Sequence, residues 1–113
     1  MTPEAFRTLA LARPEAVENA HLGTIDFRVG GKIFATLGGA AGRPVVKLTS
    51  EEQELLTAAA PTVFSPAEGR WGRFGWTHLD LSALDEATAE DALSRSWRNV
   101  TGGRKARSRS TAP

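Results

Sequence analysis

The sequence predicts an α+β domain, an antiparallel sheet with helices packed on one face, in the order α-β-β-β-α-(β)-β-α. Three observations carry this. Residues 24–37 alternate apolar and polar side chains around Gly30-Gly31, the pattern of a hairpin with a two-residue turn. Residues 85–101 put Ala89, Leu93, Trp97 and Val100 at helical spacing. The chain has 113 residues and no cysteine, which is long enough to bury about two-thirds of its unfolded surface in one core without a disulfide.

The elements follow in order. Thr2 suits an N-cap, Pro3 the first helical position and Glu4 the positive end of the dipole. Phe6, Leu9 and Ala10 then form an apolar stripe until Pro14 ends or bends the helix, with a further turn expected over 15–19. In the hairpin, Phe27 is expected opposite Phe34, Ile25 opposite Thr36 and Val29 opposite Lys32, which leaves a mixed second face. Residues 38–43 read as a loop and 44–48 as a third strand. Ser50 with Gln53, or Thr49 with Glu52, makes a capping box for a helix that Pro61 stops. Residues 62–65 are extended, 66–73 a loop with Pro66, Gly69 and Gly72, and 74–81 an alternating strand. Gly102-Gly103 ends the last helix. The domain is thus expected at 1–101, followed by a basic, disordered tail over 102–113.

The formal net charge of +1 averages unlike parts. Arg104, Lys105, Arg107 and Arg109 give the tail +4, so the body carries −3. Within the body, Arg28, Lys32, Arg43 and Lys47 against Asp26 make 24–48 basic, while Glu51, Glu52 and Glu54 make the following helix acidic. A basic segment in an acidic body points to an anionic partner more directly than net charge does. No apolar run reaches the ~18 residues of a membrane span, and the N-terminus lacks a signal-peptide pattern. The expectation is a cytoplasmic bacterial protein with no membrane contact, no cofactor and no metal, and a monomer.

Several chemistries lack their residues. There is no thiolate site. His21 and His78 lie far apart in the chain, and Asp80 shares a strand face with His78. The Gly38–Gly42 loop lacks the Gly-Lys-Ser/Thr ending of a phosphate loop and joins two strands. Two candidates remain. Arg28, Lys32, Arg43 and Lys47 form a basic β-ribbon able to neutralise phosphates; the alternative is a solvated face whose bases pair with the acidic helices. Arg70, Trp71 and Arg73 set two guanidinium groups around an indole, which can stack on a base while holding phosphate; the alternative has Trp71 closing the core. Trp76 and Trp97 read as structural.

Phe27-Arg28-Val29-Gly30-Gly31-Lys32-Ile33-Phe34-Ala35, then Val46-Lys47-Leu48, Phe64-Ser65-Pro66-Ala67, Gly75-Trp76-Thr77 and a closing helix with Ser96-Trp97 together resemble the MmcQ/YjbR family of small bacterial proteins, over residues 2–101. The resemblance implies a frataxin- or CyaY-like fold described as a double wing, and DNA binding without a reaction. It points to Arg28, Lys32 and Lys47. It does not carry iron binding here, since frataxins use a strongly acidic first helix and this one offers Glu4 alone. The expected function is therefore DNA binding through phosphates by a basic hairpin face, with no catalysis. The alternative is a protein- or small-ligand-binding domain using the concave sheet face. A coherent positive face favours the first; an apolar pocket with the bases paired to Glu51, Glu52 and Glu54 favours the second.

Overall fold

The computed structural model describes residues 1–21, 23–38 and 43–102. Helix α1 (Pro3–Leu11) starts where Thr2 Oγ1 accepts the Ala5 N–H at 3.0 Å, and it buries Phe6 and Ala10 completely. The further helical turn expected over 15–19 does not form. Those residues lead into a strand, β1 (Val17–His21), which pairs antiparallel with β2 (Thr24–Val29) from Val17↔Arg28 to His21↔Thr24. Its residues from Val17 to Ala20 are exposed, so no buried side chain marked it in the sequence.

Strands β2 and β3 (Lys32–Thr36) meet at Gly30-Gly31, whose φ values of +59° and +81° are those of a hairpin turn that favours glycine. Val29 does face Lys32. The remaining pairs differ from expectation: Phe27 lies opposite Ala35 and Asp26 opposite Thr36, because a bulge shifts the register between Phe27 and Arg28. The shift takes Ala35 off the mixed face, so that Phe34 and Ala35 are both buried while Asp26, Arg28 and Ile33 stay together on the other side.

After β4 (Val45–Lys47) comes α2 (Ser50–Ala59), closed by the Thr49–Glu52 capping box and not the Ser50–Gln53 one. Then follow β5 (Phe64–Pro66), a five-residue helix α3 (Gly69–Arg73) where a loop was expected, β6 (Trp76–Leu79), one 3-10 turn (Leu81–Ala83) and α4 (Glu86–Thr101). The six strands form one sheet in the order β1-β2-β3-β4-β6-β5, every neighbour antiparallel. The expected tail over 102–113 lies outside the described residues beyond Gly102, as does most of the Gly38–Gly42 loop.

Helix α4 lies across β2, β3 and β4 and against α1. Between helices and sheet sits the core: Phe6, Phe27, Phe34, Val46, Leu48, Phe64, Leu79 and Leu93 are essentially inaccessible to solvent. Phe6 and Phe27 meet edge to face, centroids 6.4 Å apart. Trp97 joins this layer and donates its indole N–H to the Pro14 carbonyl at 2.9 Å, as its place on the apolar stripe foretold. Among the described residues no helix is long and apolar enough to cross a membrane.

Candidate nucleic-acid interface

Alternate residues of the same strands point away from α1 and α4. Directly paired residues share a face. The register therefore collects Asp26, Arg28, Ile33, Thr36, Val45, Lys47, Trp76 and His78 on the uncovered side. Ile33, Thr36, Val45, Trp76 and His78 form the floor of a groove of about 410 Å³, and Ala67, Glu68 and Trp71 supply its wall. The lining is almost wholly apolar. Trp71 remains 61 % exposed, so it overhangs this groove and does not close the core.

Helix α3 holds Trp71 there by a close approach of backbone. A Cβ on Gly72 would lie 2.1 Å from the Ala67 carbonyl oxygen, so only glycine permits the contact. From α2, the Gln53 amide nitrogen reaches Gly72 O at 3.0 Å, Trp76 O at 3.2 Å and Thr77 Oγ1 at 3.0 Å, tying α3 to β6.

The cations divide into three states. Arg28 is clamped by Asp26 of its own strand, Nε to Oδ1 at 2.9 Å and Nη2 to Oδ2 at 3.2 Å, and these hydrogen bonds raise its pKa. Asp26 is only 3 % exposed, so this charge is cancelled in place. Arg43 sits 4.0 Å from Glu68. Lys47, Arg70 and Arg73 make no ion pair among the described residues. Lys47 donates to the Phe74 carbonyl and lies 6.0 Å over the Trp76 ring, a cation–π contact that leaves its charge in place. Arg70 and Arg73 are exposed and three apart on α3, hence on neighbouring turns of one helix side, turned about 100–160° around the axis from Trp71.

Lys32 does not join them. Val29 and Lys32 pair across the hairpin, and Lys32 borders a separate cavity with Pro14, Trp97 and Val100 on the helix side. The hairpin thus presents Arg28 and Lys32 to opposite faces. The acidic helix does not take up the bases either. Glu52 binds Arg95 at 3.4 Å and the Asn99 amide at 2.8 Å.

His78 has a carboxylate partner, but not Asp80. Its Nε2 lies 3.3 Å from Glu68 Oε1, and its Nδ1 is buried without a partner among the described residues. Asp80 instead accepts from the Ser82 N–H at 2.9 Å and Ser82 hydroxyl at 2.7 Å, starting the 3-10 turn. Hydrogen bonding from His78, its own backbone N–H and the charge of Arg43 hold the Glu68 carboxyl below the usual range. Sequence reasoning named Trp71, Arg70, Arg73 and Lys47 as candidates, and the structure leaves the first three exposed and puts Lys47 on the open sheet face. It missed Ile33, Val45 and His78 as a common floor. The signal was present for His78 and Trp76, which share parity in an alternating strand; for the other two it depended on the sheet order.

A family model described as YjbR matches residues 11–99. None of the curated proteins matches the chain. The chain is similar in fold to the crystal structure of Deinococcus radiodurans protein DR2400, described as carrying a DUF419 domain. The TM-score is 0.70 at 21 % identity, covering 96 % of this chain and 86 % of that one.

Proposed function

The chain belongs to the YjbR family, and from that premise we propose that it is a nucleic-acid-binding module, DNA in the first instance, acting through phosphate contacts and without catalysis. One observation carries the reading. Among the described residues, Lys47 on the sheet face that the core helices leave open, and the exposed Arg70 and Arg73 of α3, stand without carboxylate partners. Unpaired cations on an accessible surface attract a polyanion and release its counterions, and that release drives most sequence-independent binding. The basic hairpin face is narrower than the sequence implied. Arg28 is neutralised by Asp26, Arg43 is shared with Glu68, and Lys32 faces away.

Three phosphate contacts give a slope of log K against log salt of about −2 on a single strand and about −2.7 on a duplex. The test is a salt titration of a labelled oligonucleotide, with Arg104, Lys105, Arg107 and Arg109 replaced by Gln so that the tail cannot supply the signal. Binding with that slope, lost on Lys47→Glu with Arg70→Glu and Arg73→Glu, supports the reading. Binding no better than to a neutral polymer at low salt refutes it. The apolar floor supports a second reading, a site for a small planar ligand, which would bind with no salt dependence.

A further inference from the structure

We infer that the Trp71–Trp76 groove takes one unpaired base, so that this face selects single-stranded over duplex nucleic acid. The inference rests on the phosphate-binding reading and adds what the cations alone would not give.

The groove's size falls within the ~300–1,000 Å³ typical of small-molecule sites. Its composition is that of a stacking site: one indole in the sheet, a second overhanging on α3, and Ile33 and Val45 between. An exposed tryptophan on a five-residue helix costs solvation and contributes nothing to the core, yet Gly72 and Gln53 hold it in place. An apolar protein segment would fill such a groove equally well, but would gain nothing from cations around it. Lys47 over Trp76 and Arg43 beside Glu68 stand next to the groove, and Arg70 and Arg73 on another side of α3 extend the cationic surface, which matches a base whose own and neighbouring phosphates run past the groove.

The polar edge of the groove agrees. Glu68, held beside His78 Nε2 and largely exposed, places a carboxylate acceptor at that edge. A base in a duplex has its hydrogen-bonding edge paired and its faces stacked. An unpaired base offers both, a face to indole and an amino edge to an acceptor.

The experiment uses the full chain with the four tail bases replaced by Gln. Its affinity for a labelled single-stranded 12-mer is compared with that for a hairpin duplex of the same sequence, at fixed low salt. Single-strand binding is expected to be tighter, by about tenfold or more, and to quench tryptophan fluorescence. Trp71→Ala is expected to weaken single-strand binding about 5- to 150-fold while leaving duplex binding unchanged, and Trp71→Phe to retain most of it. Because Trp71 is exposed, neither variant threatens the fold. Equal binding of strand and duplex, or equal loss of both in Trp71→Ala, overturns base capture while salt-dependent binding keeps the phosphate reading. Absence of binding to either removes both. Capture of an apolar peptide in place of any oligonucleotide assigns the groove to a protein partner and overturns the inference.

Discussion

Asp26 decides how much charge the open face offers. It is a buried carboxylate, and a buried carboxylate needs a partner; the arginine two residues along the same strand is the nearest. Asp26→Asn keeps the shape and frees the Arg28 charge. It is expected to tighten oligonucleotide binding and to steepen the salt slope by about 0.7–0.9, read by the same titration. The sequence displayed Asp26 and Arg28 on one strand face but not their pairing, which depends on how deeply β1 and β3 enclose them. Glu52 illustrates a second residue-level effect. Partial burial pushes its pKa up, but the Thr49 N–H, the Asn99 amide and Arg95 together outweigh that and hold it below 4.5. With the folded value depressed, its contribution is complete above the unfolded value and is lost as pH falls through the folded one. Glu52→Ala is expected to cost about 1 kcal/mol at neutral pH, as for loss of a helix cap. By denaturant titration, the gap from the parent should shrink below about pH 4. The capping box was readable from four residues; the bonds to Asn99 and Arg95, across more than forty residues, were not.

At the scale of elements, what was legible tracks how local each element's cause is. Helix α4 announces itself by periodicity and the hairpin by its two glycines, because both causes lie inside the segment. Strand β1 does not, since an exposed edge strand owes its existence to the neighbour it pairs with. Helix α3 does not either. Gly69 and Gly72 argue against a helix by propensity, and it forms because backbone can approach Ala67 where a side chain would not fit. Gly72→Ala gains intrinsic helicity yet collides with that carbonyl. It is expected to lower stability by about 1–3 kcal/mol, to release Gln53 and to displace Trp71. Thermal denaturation and the Trp71-dependent single-strand affinity should therefore fall together.

For the whole molecule, charge segregation was visible in the sequence, but how much of it stays unpaired on the open face was not. A +3 segment over 24–48 contributes Lys47 to the interface as unpaired charge, and α3 supplies the rest. The tail adds four bases, so the unaltered chain is expected to show a single-strand slope steeper by up to about 2.8 than the Gln-substituted chain, if all four engage phosphates. A difference near zero would place all binding in the folded body. The architecture also carries a temporal consequence. Met1 donates to the Leu81 carbonyl, Arg13 bonds Ser94, and Trp97 bonds Pro14, each across eighty residues or more. Helix α1 therefore lacks these partners until α4 has been made, although Phe6 can meet Phe27 earlier. Synthesis leaves the apolar side of the hairpin uncovered until α4 is made, and closure awaits that helix. The order of manufacture thus makes α4 the element that converts a nascent, sticky sheet into a folded protein.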